Sequence, residues 1–202
     1  MQHDDLPELQ TERLVLRHSR PGMEEAMASF LAENEAGHFD RWSPPLAPAF
    51  FTAAFWEGRL RQEVDDFHRD VAVRFVMQLR ADEARIVGSL GYTQVFRGPF
   101  QACYLGFKIA RSCEGKGLMR EALQAGNAFM FAIRRVHRIM ANHVPDNGRS
   151  AALLARLGFE REGIARDYLF INGAWRDHVL TSLTNPEFDL GWIEPQGALP
   201  PR

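Results

Sequence analysis

The run Phe107-Lys108-Ile109-Ala110-Arg111-Ser112-Cys113-Glu114-Gly115-Lys116-Gly117-Leu118-Met119 constrains this chain more than any other. An apolar strand enters a loop with glycines two residues apart, and a helix begins at once. Such a loop turns successive backbone N–H groups to one side, and the helix N-terminus adds partial positive charge. Together they form a cradle for phosphate. Glycine leaves room for a ligand to approach the backbone closely. A plain strand-to-helix turn explains the same residues when the run is read alone. The third glycine of a dinucleotide fingerprint and the Lys-Ser/Thr pair of a P-loop are both missing. The preceding chain argues against a doubly wound sheet. Residues 71–79, 86–95 and 102–109 read as strands joined by hairpins, through a polar turn at 81–84 and through Arg97-Gly98-Pro99.

The remaining elements follow from periodicity and punctuation. Residues 13–17 alternate as a half-buried strand does. Pro21 starts a helix with Glu24 and Glu25 in its first turn and Met23, Met27, Phe30 and Leu31 on one face. Residues 37–48 form a loop with three prolines, and 49–69 return to helical spacing. After the glycine loop come a helix over 118–135, a strand over 139–144 and a short helix that stops before Gly158, a C-cap glycine. Asn172-Gly173 closes a hairpin of strands 161–171 and 175–183. The order βααβββαβαββ makes one mixed α/β domain with seven strands. Residues 1–10 read as an N-terminal extension, 11–188 as the domain and 189–202 as a loosely ordered tail.

Composition supports a folded chain and narrows its partners. The sequence has 202 residues, 46% hydrophobic and 25% charged, with a net charge of −2. That balance gives no global reason for nucleic-acid or membrane-surface binding. Cys103 and Cys113 are too few for a disulfide framework and have no zinc-site spacing, so they read as reduced thiols and no metal is expected. Residues 1–7 lack the apolar core of a signal peptide. The most apolar run, 128–133, is far short of the roughly 20 residues that cross a bilayer. A soluble cytoplasmic protein is expected.

A second informative run is Pro145-Asp146-Asn147-Gly148-Arg149-Ser150, leading through a short helix to Leu157-Gly158-Phe159. On chemistry alone, Asn147 is an N-cap and Ser150 satisfies a first-turn amide.

The two runs together, in this order, resemble the GNAT superfamily of N-acetyltransferases. Thr11-Glu12-Arg13-Leu14-Val15-Leu16-Arg17, Gly115-Lys116-Gly117-Leu118-Met119, His137-Arg138-Ile139-Met140-Ala141-Asn142, Leu154-Ala155-Arg156-Leu157-Gly158-Phe159 and Trp175-Arg176-Asp177-His178 resemble the ribosomal-protein-alanine N-acetyltransferases of the RimJ type. The resemblance spans about residues 11–188 and is weakest over 33–70. It implies a mostly antiparallel seven-stranded sheet flanked by helices, in which strands 102–109 and 139–144 are parallel and splay apart. It implies acetyl-CoA as cosubstrate: the pantetheine arm pairs with otherwise unpartnered backbone groups of Phe107 and Ile109, and the pyrophosphate rests on the amides of Gly115, Lys116, Gly117, Leu118 and Met119. Asn147 and Ser150 face the pantetheine and the thioester sulfur. Two positions depart from the family pattern. Ser112 stands three residues before the first glycine, where Gln or Arg is frequent, and Arg111 is one step away. Leu154 stands where many relatives carry a tyrosine acid, so the resemblance moves proton donation to Ser150.

Transfer from a thioester to an amine needs a polarised carbonyl, a neutral amine, a stabilised thiolate and two substrates in contact. An α-amine of pKa 7.7–8.0 is neutral roughly a quarter of the time at cellular pH, whereas a lysine amine is neutral about one time in a thousand. Tyr104, Glu114 and His143 lie near the right segments for a base, but packing or solvation explains each. The weak base signal fits an α-amine acceptor, a protein N-terminus, with a ribosomal protein implied by the resemblance. The alternatives are a small amine (an aminoglycoside, polyamine or amino acid) and a non-catalytic acyl-CoA-binding module. Trp42, with Pro44 and Pro45, is either a surface-loop anchor or a wall of the acceptor pocket, and Tyr104 is the second acceptor-side candidate. His178 reads as structural, and the run Arg134 to Arg138 as a solvated helix end.

Overall fold

A computed structural model describes residues 6–193. Eight strands form one sheet in the order β1-β2-β3-β4-β5-β6-β8-β7. They are β1 (Glu8–Gln10), β2 (Leu14–His18), β3 (Val73–Leu79), β4 (Asp82–Phe96), β5 (Ala102–Ile109), β6 (Arg138–His143), β7 (Glu160–Ile171) and β8 (Ala174–Thr184). The helices are α1 (Glu24–Asn34), α2 (Ala53–His68), α3 (Leu118–Ala132) and α4 (Gly148–Arg156). The sequence expectation of seven strands is corrected by β1, which pairs antiparallel with β2 and is held by a Glu8–Arg17 ion pair of 2.7 Å. Three mostly polar residues carry no readable alternation, and their strand state comes from the partner alone.

Side chains alternate across a strand, so β4 and β5 divide into two faces. Leu90 and Tyr92 face α3, where a Cβ at Gly126 would meet the Tyr92 Oη at 2.5 Å. That distance shows how closely the helix backbone lies on the sheet. The Tyr92 hydroxyl donates to Asn127 Oδ1 at 2.8 Å. This bond satisfies a phenol that is fully buried. On the other face, Ser89, Gly91 and Lys108 meet Met27, Phe30 and Leu31 of α1 and Trp56 of α2 around a cavity of about 190 Å³. Glu63 of α2 is buried in its wall, held by Arg59 at 2.8 Å and by the Ser19 hydroxyl.

The parallel pair does splay. Only Ala102, Cys103 and Tyr104 of β5 pair with β6, opposite Arg138, Ile139 and Met140. Beyond Tyr104 the strands part. The turns follow their sequence signals. Asn172 and Gly173, between β7 and β8, have φ of 51° and 79°. Helix α3 ends at Ala132, short of the expected 135. The β3–β4 turn sits at 80–81, tighter than the expected 81–84.

Two further expectations change. The described part of the tail packs on the body: Trp192 lies between Phe188 and Arg135, and the residues leading into it are held by Asn185 N donating to His137 O at 2.8 Å and by Phe188 set edge-on to His137. Residues 194–202, the rest of that tail, lie outside the described residues. Arg134 and Arg138 are not a solvated end. Arg134 pairs with Asp70 and lies over Phe67, and Arg138 pairs with Glu162.

Candidate active site

The divergence of β5 from β6 opens one edge of β5. Ala110 N donates to Val87 O on β4 at 2.8 Å. That bond fixes the alternation of the antiparallel ladder. Residues 106, 108 and 110 turn their backbone groups to β4. Phe107 and Ile109 turn theirs to the gap. The resemblance leaves the Ile109 carbonyl without a protein partner, and the structure corrects this. That carbonyl accepts from His38 Nε2 at 2.9 Å. One lone pair remains. His38 is distant in the chain, in a π-type turn between α1 and α2, and no local pattern announces the contact.

The gap opens into a cavity of about 1000 Å³ lined by Phe107, Ile109, Gly115, Gly117, Leu118, Met119, Asn147, Ser150 and Trp42. Gly115 and Gly117 have φ of 71° and 76°. This left-handed backbone favours glycine. Gly117 is the N-cap of α3, so the first amides of that helix open at the cavity. Lys116 is not in the lining. Its carbonyl accepts from Arg13 Nη1 at 2.9 Å, which ties the loop to the residue just before β2. Arg111, Arg120, Arg149 and Arg156 also line the cavity, against the carboxylate of Glu114. This local excess of cations suits a polyphosphate ligand and is hidden by the chain's near-neutral total.

At α4, Asn147 Oδ1 accepts from Ser150 N at 3.1 Å. Asn147 is therefore the N-cap. The Ser150 amide, not its hydroxyl, takes part in that cap. The Ser150 hydroxyl has no hydrogen-bond partner among the described residues and lines the cavity. Leu154, one turn on, is fully buried. Arg149 and Glu114 form a 2.5 Å ion pair that joins α4 to the glycine loop.

The wall from the α1–α2 connection brings His38, Phe39, Trp42 and Ser43 to the same cavity. Arg111 holds this connection in place: its N–H donates to Asn34 Oδ1 at 2.9 Å and its guanidinium to Gly37 O at 2.6 Å. Lys108 reaches both cavities, with Nζ 4.9 Å from the Phe39 ring centre. Burial pushes its pKa below the usual lysine value, and Glu35 opposes that shift.

Tyr104 is not in the cavity lining. Its hydroxyl lies beside that of Tyr168 on β7, which accepts from Asn142 Nδ2 at 3.1 Å. Burial, and then the Tyr104 hydroxyl, push the Tyr168 phenol up. His178 packs on Tyr168 with ring centres 5.2 Å apart. His143 is buried with Nδ1 donating to Val144 O at 2.9 Å. Both cysteines are free and buried, and burial pushes the Cys103 thiol up to about 12. Among the described residues no three His, Cys, Asp or Glu side chains form a metal-holding group. No described helix is long and apolar enough to cross a membrane.

Residues 13–160 match the model of the acetyltransferase (GNAT) domain. The chain is 44% identical over 186 residues to the [ribosomal protein uS5]-alanine N-acetyltransferase of Escherichia coli, covering 91% of this chain and 93% of that enzyme. It superposes on the ribosomal-protein-S5-alanine acetyltransferase from Vibrio fischeri with a TM-score of 0.87 at 36% identity, over 91% of this chain and 99% of that one. Mycobacterium smegmatis RimJ in complex with CoA-disulfide gives 0.78 at 28% identity, over 89% and 86%. A strand pair that parts above a glycine loop, a family match across most of the domain and a curated relative at 44% identity agree: the chain belongs to the GNAT acetyltransferase family and, within it, groups with the RimJ-type N-acetyltransferases.

Proposed function

We propose that this enzyme transfers the acetyl group of acetyl-CoA to the α-amine of a protein N-terminus, an alanine of a ribosomal protein as in its relatives. One observation carries the reading. The open backbone of Phe107 and Ile109, the amides at the start of α3 and the wall from the α1–α2 connection all face one cavity, so donor and acceptor can meet at the strand gap.

The residues present fit acetyl-CoA. Phe107 and Ile109 hold the pantetheine by backbone hydrogen bonds. The amides of Gly115, Lys116, Gly117, Leu118 and Met119 hold the pyrophosphate, with Lys116 contributing its N–H although its side chain is outside the lining. The bound thioester supplies an activated acyl group. The N–H of Phe107 or Ile109 stabilises the negative charge on the carbonyl oxygen. Ser150 donates its otherwise unused hydroxyl proton to the sulfur, and Asn147 positions Ser150 by capping its amide. Trp42 walls the acceptor side. Of the candidate bases, Glu114 is held by Arg149, and neither His143 nor Tyr104 lines the cavity. This suits an α-amine, which is already partly neutral near pH 7.

The test is thiol release from acetyl-CoA with an alanine-start peptide and with its N-terminally blocked twin, lysines intact. Release is expected with the first and not the second. Equal release with the blocked peptide, or reaction with free small amines only, makes this a lysine or small-amine acetyltransferase. No release with any amine makes it an acyl-CoA-binding module.

A further inference from the structure

Three residues of β5 share one face, Tyr104, Gly106 and Lys108, and lie directly opposite Thr93, Gly91 and Ser89 of β4. The middle pair is glycine on glycine. A Cβ at Gly106 would meet nothing within 4 Å, and one at Gly91 only the Thr93 methyl at 3.8 Å and the Gly106 carbonyl at 4.0 Å. Neither glycine has a positive φ, so the backbone does not require them. No side chain of the sheet stands there for the width of two strands: Gly106 is exposed, and Gly91 lines the cavity of about 190 Å³ under α1 and α2. Gly106 lies between Leu105 and Phe107, just past the point where β5 leaves β6, so this floor borders the strand gap.

The ends of the floor differ. At one stands Lys108, which has no carboxylate in ion-pair range among the described residues. At the other, Tyr104 begins an aromatic run. Phe96 lies 6.4 Å from Tyr104, and Phe100 lies 5.6 Å from Phe96, with 40% and 47% of their surfaces exposed.

We propose that this floor is the acceptor's seat. The first residue of an extended polypeptide N-terminus lies on Gly91 and Gly106 with its amine at the gap, and the following residues leave over Tyr104, Phe96 and Phe100. The flat floor admits an extended backbone where side chains would block it. The aromatic run continues outward from the gap, which serves a chain and has no use for a small amine. The Lys108 cation repels a second positive charge, so the seat rejects lysine or arginine beside the first residue. This inference rests on the N-terminal acetyltransferase reading above and names how that acceptor is held.

Gly106→Val tests it. The added side chain enters open space on an ordinary strand backbone, so the protein is expected to keep its melting temperature. KM for an alanine-start octapeptide should rise ten-fold or more, and Kd for acetyl-CoA by calorimetry should stay within two-fold. Gly106→Ala should give a smaller rise of the same kind and serves if the valine variant fails to fold. Phe100→Ser should raise KM for the octapeptide a few-fold and leave that for alanyl dipeptide amide unchanged. An octapeptide KM within two-fold of the parent in Gly106→Val, or in Gly106→Ala if that stands in, overturns the proposal. So does an equal loss of acetyl-CoA affinity. A parent enzyme that acetylates small amines but no alanine-start peptide fails the underlying reading instead, and the seat falls with it.

Discussion

Gly126 and Gly115 are the same residue under opposite constraints. A Cβ at Gly126 would lie 2.5 Å from the Tyr92 hydroxyl and 3.2 Å from a Leu90 methyl, so α3 can approach the sheet only because no side chain intervenes. A Cβ at Gly115 would meet nothing within 4 Å. The first glycine is required by the protein's own packing. The second stands beside a large cavity, at a left-handed φ of 71°. The left-handed backbone favours glycine there, and the open space beside it, at the cavity wall, leaves room for a ligand. The molecule divides accordingly, into a closed face under α3 and an open side where β5 parts from β6.

The sharpest way to break this contrast is to substitute the closed glycine. Gly126→Val should displace Tyr92 and break its hydrogen bond to Asn127, combining overpacking with an unsatisfied buried phenol. A loss of about 3 kcal/mol or more in urea unfolding is expected. A loss below about 0.5 kcal/mol would mean that α3 can retreat from the sheet at little cost, and the distinction between the two glycines would collapse.

A smaller effect, confined to chemistry, is expected on the open side. Ser150→Ala should lower kcat by about ten- to a thousand-fold while leaving acetyl-CoA affinity and melting temperature nearly unchanged. The Ser150 amide, which carries the cap, remains in the variant. An unchanged kcat with reduced stability would make Ser150 a structural residue of α4.

The closed face was largely legible in sequence. The β-branched, aromatic run over 71–79, the hairpin leading into 102–109, the Asn172-Gly173 turn and the glycines before α3 are local signals, and each matches a described element. The cavity was legible in part. The glycine loop and the Asn147 cap announce themselves, because a positive φ or an N-cap selects its residue locally. His38 on the Ile109 carbonyl and Tyr168 beside Tyr104 were not legible. Each contact joins residues far apart in the chain, and neither His38 nor Tyr168 stands in an unusual local context. Strand β1 escaped for a related reason, since its state is set by β2. The bare floor was invisible because Gly91 and Gly106, each unremarkable in its own strand, become meaningful only when the register places them opposite one another.

Acetyl-CoA binding to Gly115→Asn, measured by calorimetry, tests the division most directly. Asparagine tolerates the left-handed backbone, so strain is small, and its side chain enters space that no protein atom occupies. If that space belongs to the pyrophosphate of acetyl-CoA, affinity falls ten-fold or more at an unchanged melting temperature. Unchanged affinity in a folded variant contradicts the account, since the glycine loop would then be a turn and nothing more.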